Sequence, residues 1–121
     1  MKRFLLVMTL ICWASPVFGQ SVKVGVGVRS CAQFAEDYRS TPELMEVIYF
    51  SWAQGYLTGI NIVTSTEDDQ ALNLFPPGFG EKAQKEFVRE YCAMHPLAPY
   101  SEAVAFLRFE VILKNAVIPR E

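Results

Sequence analysis

The sequence predicts an all-α fold, a compact bundle of about four helices held by one disulfide, and three observations carry that prediction. Apolar side chains recur at three- and four-residue steps through residues 31–40, 41–64, 80–94 and 101–115, the period of helices with one buried side. The alternating segment at residues 20–29, QSVKVGVGVR, has no evident partner strand and is weakened by Gly25 and Gly27, so it predicts an extended or frayed arm rather than a sheet. Two cysteines, Cys31 and Cys92, remain once a leader is set aside, an even count that predicts one bridge in an exported chain.

The leader is read from its order. Met1-Lys2-Arg3 is basic, residues 4–14 are apolar but for Thr9, and Val17-Phe18-Gly19 offers a cleavage site before Gln20. The run is too short to span a bilayer, which takes roughly 20 apolar residues, so residues 1–19 are expected to be a removed signal peptide and residues 20–121 a single helical domain, periplasmic or secreted. Two of the 11 basic residues leave with the leader while all 13 acids stay, giving the 102-residue remainder a net charge of −4. A mildly acidic chain with no basic stripe argues against nucleic acid as a partner, and no later segment has the length and polarity of a membrane span.

Taken in order, Ser30 can cap a first helix, CAQFAEDYRS, with Cys31, Phe34, Ala35 and Tyr38 on one face. Thr41-Pro42 stops it and starts the central helix, because the residue before proline is pushed out of helical conformation while Pro42 itself suits a first turn. Met45, Ile48, Tyr49, Trp52, Tyr56, Ile60 and Val63 form the expected buried stripe of that helix. Ser51, Gly55 and Gly59, spaced by four, predict close helix packing that offsets the propensity cost of each glycine, about 1 kcal/mol.

After Val63 the sequence STEDDQALNLFPPGFG predicts a long loop, with a short turn at residues 70–74 and with Phe75 and Phe79 pinning it to the core. Its acids, Glu67, Asp68 and Asp69, lack calcium-loop spacing and read first as a solvated turn; the loop at residues 64–80 is nonetheless the expected partner-binding segment. The third helix turns Ala83, Phe87, Val88, Tyr91 and Cys92 inward and leaves Gln84 and the charged pairs Glu81–Lys85, Lys82–Glu86 and Lys85–Arg89 on its surface. His95-Pro96 ends it, and the last helix buries Ala103, Val104, Phe106, Leu107 and Val111, with Lys114 and Asn115 at its C-terminus.

The two cysteines admit a bridge or two free thiols; a bridge closing about 60 residues contributes on the order of 4 kcal/mol in the chain-entropy model. No enzyme is expected. His95 stands alone at a helix end, no HExxH, CxxC or GxSxG motif occurs, and GVGV at residues 25–28 lacks the third glycine and following helix of a phosphate loop, so no catalytic, metal or cofactor residue is assigned.

The order Cys31, then Gly55-Tyr56-Leu57-Thr58-Gly59-Ile60-Asn61, then Phe75-Pro76-Pro77-Gly78, then Tyr91-Cys92 with His95-Pro96-Leu97, resembles small exported proteins of the HdeA-like group, and more narrowly the type VI secretion immunity proteins within it. Phe75 stands where those immunity proteins often carry a cysteine, which leaves one bridge here. The resemblance implies a compact helical periplasmic protein that binds and neutralises a secreted toxin; the alternative it implies is an acid-stress chaperone of the periplasm. A protein partner is therefore expected, a secreted effector or toxin, with a homodimer as the other association to consider.

Overall fold

Ser30 starts the first helix by reciprocal hydrogen bonds: its hydroxyl accepts from the Gln33 N–H at 3.1 Å, and Gln33 Oε1 accepts from the Ser30 N–H at 2.9 Å. This helix, α1 (Cys31–Ser40), is followed by α2 (Pro42–Thr64), α3 (Glu81–Met94) and α4 (Tyr100–Val117). A computed structural model describes residues 23–65 and 71–117, among which four α-helices, one 3₁₀ turn and no strand occur. The expected leader and the acidic triplet Glu67, Asp68 and Asp69 fall outside the described residues.

Pro42 occupies the first turn of α2, and Thr41 stands at its N-cap position without a side-chain capping bond. The second and third N–H groups of the α1 start region are satisfied from elsewhere: Cys31 donates to Ala98 O at 2.8 Å and Ala32 to Pro96 O at 2.9 Å, while Tyr100 N donates to Arg29 O at 2.7 Å. The turn between α3 and α4 thus caps α1 and fixes three helix ends together.

The core is built from Phe34 of α1, Tyr49, Phe50, Ala53 and Leu57 of α2, Val88, Tyr91 and Cys92 of α3, and Tyr100, Ala103, Val104, Leu107 and Val111 of α4, all buried. At its centre the rings of Phe34, Tyr49 and Tyr100 pack with centroids 4.7, 5.1 and 4.8 Å apart, tilted or edge-on. Cys31 and Cys92 are bridged, with Cα atoms 4.7 Å apart, tying α1 to α3 across 61 positions of sequence. The all-α bundle and its disulfide are as the sequence predicts.

Several details differ from the sequence reading. The buried side of α2 lies about a quarter of a turn from the expected stripe, centred on Ala53 and Leu57; Ile48 and Val63 are exposed, and Trp52 and Tyr56 lie at the edge. The helix is apolar on both sides, so periodicity could not select one. Ser51, Gly55 and Gly59 are correspondingly exposed, and a Cβ added at Gly55 or Gly59 would meet nothing within 4 Å, which overturns their assignment to close helix packing. In its described part, residues 23–29, the N-terminal arm is not frayed: Gly25–Val28 forms a 3₁₀ turn on Trp52, whose indole N–H donates to Val24 O at 3.0 Å. Phe106 is half exposed rather than buried because it lies over Tyr91 on the outside of the bundle, ring centroids 5.0 Å apart.

Candidate functional site

Three surface features are positioned by this scaffold. The first is the outer face of α2. From Leu44 to Val63 its exposed large side chains are Leu44, Val47, Ile48, Ile62 and Val63, between 41% and 80% exposed, and the exposed positions between them are Ser51, Gly55, Thr58 and Gly59. None is charged. The two charges of α2 are Glu43, at its first turn, and Glu46, which is turned away into an ion pair with Arg89 of α3. An outward face of that length without a charge is unusual for a water-facing helix, which ordinarily carries its polar residues there.

The second feature lies at the junction of α3 and α4. Met94 and Leu97 are 69% and 92% exposed, and Phe106, Phe109 and Leu113 line the outer side of α4. Tyr91 joins the two parts: its ring stacks on Phe106, lies 4.4 Å from the His95 ring, and its hydroxyl donates to Glu102 Oε1 at 2.7 Å. Burial, with the Glu102 carboxylate beside it, pushes the Tyr91 phenol up to about 12. His95 therefore serves as a ring packed at the edge of this patch.

The third is an open groove of about 420 Å³ between α1 and α3, over Cys92, floored by Ala32, Ala35 and Ala93 and bounded by Tyr38, Arg39 and Arg89. Arg89 divides it from a more polar hollow beside Lys82 and Lys85, lying over the Tyr38 ring at 5.6 Å while it holds Glu46. Lys85, expected on the wet face with Arg89, is instead half buried, its ammonium 5.2 Å from the Phe50 ring centroid and paired with Glu81.

Beneath these surfaces runs a polar tie between α1 and α2. Arg29 Nε donates to Tyr49 Oη at 2.8 Å, Tyr49 Oη donates to Asp37 Oδ2 at 2.6 Å, and Arg29 Nη2 lies 3.0 Å from the same carboxylate. Burial, reinforced by Asp37 and opposed by Arg29, pushes the Tyr49 phenol up to about 12, and burial also raises that of Tyr100.

The loop expected to bind a partner is, in its described half, stitched down. The Asn61 side chain accepts from Leu72 N and donates to Leu72 O, both at 2.9 Å; Asn115 accepts from Asn73 N at 3.1 Å and donates to Asn73 O at 3.0 Å. Gln84, expected on the surface, is fully buried, donating to Leu74 O at 2.6 Å and Phe79 O at 2.9 Å and accepting from Gln54 at 3.2 Å. Three amides from three helices therefore fix the backbone of residues 72–79. Phe79 is buried as expected, but Phe75 is 45% exposed, and among the described residues 71–80 the hydrogen-bonded turn falls at Pro76–Phe79, with Gly78 at φ 78°. The sequence carried no signal for these three amides beyond their polarity.

Of the residues singled out in the sequence, Cys31 and Cys92 are brought together, Ser51, Gly55 and Gly59 are displayed on the outer face of α2, and Glu67, Asp68 and Asp69 lie outside the described residues. Among the described residues no group of three or more His, Cys, Asp or Glu is placed to hold a metal ion, and no helix is long and apolar enough to cross a membrane. What the fold and its surfaces define is a disulfide-tied all-α bundle that displays two apolar faces. Compared with known proteins, the chain matches no family model, no curated protein and no solved structure.

Proposed function

We propose that this chain is an exported binding protein that docks on a secreted toxin and blocks it, the role implied by its resemblance to the type VI secretion immunity proteins. One observation supports the reading most: Met94, Leu97, Phe106 and Phe109 stand in water on a scaffold that the Cys31–Cys92 bridge and the α3–α4 turn make rigid. Exposed aromatic and methionine side chains on a pre-ordered surface are the anchors of protein interfaces, since little ordering entropy is lost when a partner covers them. In this reading Phe106 and Phe109 enter the toxin's surface and the protein acts by occlusion.

A second reading, a periplasmic acid-stress chaperone, is favoured by one arrangement. Asp37, Glu46 and Glu102 each tie one helix to another element, through Tyr49 and Arg29, Arg89, and Tyr91 respectively. Loss of these three ties would loosen the bundle and free apolar surface for clients.

The two readings separate in one titration series. Purified secreted effectors of neighbouring strains are titrated into the mature protein at neutral pH, beside Phe106→Asp and Phe109→Asp, with client aggregation followed at acidic pH. Saturable effector binding that both variants weaken supports the toxin reading; suppression of client aggregation without effector binding replaces it with the chaperone.

A further inference from the structure

We propose that the groove between α1 and α3 binds a linear monocarboxylate of medium chain length, its hydrocarbon over Ala32, Ala35 and Ala93 and its carboxylate at the end marked by Arg39 and Arg89. The inference stands apart from the toxin reading, which concerns the α3–α4 patch.

The distribution of polar groups along the groove is the first argument. Its lining is Ala32, Phe34, Ala35, Tyr38, Cys92 and Ala93, with the two arginines at the rim. The ends differ. The Cys31–Cys92 bridge stands at one, while at the other Arg89 lies over the Tyr38 ring and Arg39 is the next residue of α1. Between them the walls are helices, whose backbone groups bond along their own axes. A ligand matched to such a lining is apolar along its length and polar at one end. An extended peptide is not, since each of its residues brings an N–H and a C=O that these walls leave unpaired. A helix is too large: the groove's volume of about 420 Å³ holds roughly one turn of a helix about 10 Å across.

Charge is the second argument. Arg39 makes one hydrogen bond, Nε to Ala35 O at 3.2 Å, and pairs with no carboxylate among the described residues. The N–H groups of its two Nη atoms are left to offer. Across the groove and the adjoining hollow stand four cations, Arg39, Lys82, Lys85 and Arg89, against two carboxylates, Glu46 and Glu81. Glu36, Glu86 and Glu90 of the same helices line neither. On a chain that is acidic overall this is a locally positive place, and it selects an anionic head over a neutral or cationic one.

Length is the third. From Ala32 to Arg39 the helix rises about 10 Å. An extended hydrocarbon built from bonds of about 1.5 Å advances roughly 1.3 Å per carbon, so a chain of about six to ten carbons reaches from the guanidinium end to the bridge. The bridge also holds the two walls together before a ligand arrives, so little ordering is lost on binding.

The test is titration of the mature, oxidised, ¹⁵N-labelled protein with sodium butanoate, octanoate and dodecanoate, each below its micelle concentration. Octan-1-ol and octyltrimethylammonium serve as the neutral and cationic counterparts. Octanoate is expected to saturate one site and to shift the amide resonances of Ala32, Ala35, Tyr38 and Ala93. Affinity should rise roughly twofold to fourfold per methylene from butanoate to octanoate and level off by dodecanoate. Arg39→Gln should weaken octanoate about tenfold and leave octan-1-ol unchanged. Ala93→Phe, which places a ring in the open groove, should block both while helical dichroism and melting are retained, because Ala93 is exposed. Absence of saturable octanoate binding overturns the proposal. So does a neutral or cationic counterpart that binds as tightly, an Arg39→Gln protein that binds as the parent does, or shifts centred on Phe106 and Phe109. A short peptide, acetyl-Leu-Leu-Glu, that saturates the same resonances more tightly than octanoate also overturns it and gives the groove to a protein segment. Loss of effector binding with octanoate binding intact removes only the toxin reading, and the reverse result removes only this one.

Discussion

Gly27 packs directly on the indole of Trp52: a methyl group on Gly27 would come within 2.6 Å of Trp52 Cε2 and closer still to the neighbouring ring carbons. The contact explains why the 3₁₀ turn Gly25–Val28 stays on α2 despite having little side chain of its own to bury. Gly25, at φ 76°, turns the chain so that Val24 O reaches the Trp52 N–H.

Gly27→Ala is therefore expected to destabilise by about 1–3 kcal/mol, since the indole is also stacked on Tyr56, ring centroids 5.2 Å apart, and cannot move without disturbing that contact. Chemical denaturation should show a lower midpoint and a red-shifted tryptophan emission. An unchanged midpoint contradicts the docked arm.

Gln84→Ala removes two donors to loop carbonyls and leaves Leu74 O and Phe79 O without that partner. A cost of about 1–3 kcal/mol is expected, with amide exchange accelerated at residues 72–79 ahead of the helices. Uniform acceleration throughout the chain would show instead that Gln84 supports the bundle and not the loop.

Reducing the Cys31–Cys92 bridge, or replacing both cysteines by alanine, releases a constraint that spans 61 positions and should cost roughly 2–5 kcal/mol. Melting with and without reductant measures it; superimposable curves contradict a structural bridge.

Alkaline titration should separate the tyrosines. Tyr49 and Tyr91, each pushed up to about 12, and Tyr100, raised by burial, are neutral in the fold at a pH where the unfolded chain's phenols, near 10, have begun to ionise. Stability held in full below pH 10 is thus lost progressively as pH rises through 12. Absorbance at alkaline pH should show these of the five tyrosines ionising together with unfolding; ionisation of all five below the unfolding transition contradicts their burial.

The helices were legible because their signals are local. Ser30, Pro42 and His95-Pro96 mark starts and stops within a few residues, and the capping box at Ser30–Gln33 forms where the sequence places it. The faces were less legible. α2 carries apolar residues on both sides, so the stripe through Met45, Ile48, Trp52 and Tyr56 competed with the one through Phe50, Ala53 and Leu57, and only the positions of α1, α3 and α4 decide between them. Gln84 read as surface because its partners, Leu74 O, Phe79 O and Gln54, are backbone groups and a side chain brought near only by folding. Phe106 fits the helical period of the core but stands on its margin, where the same apolar character serves a surface.

The central claim, that an exported bundle protects by docking through its α3–α4 patch, is tested most directly in competition between cells. Target cells secreting the chain into their periplasm are challenged by type VI-armed attackers carrying individual effectors, beside targets carrying the folded Phe106→Asp, Phe109→Asp double variant or no chain at all. The account predicts survival against at least one effector with the parent chain and killing with the double variant. Equal killing of all three targets by every effector contradicts it, as does equal protection by parent and variant.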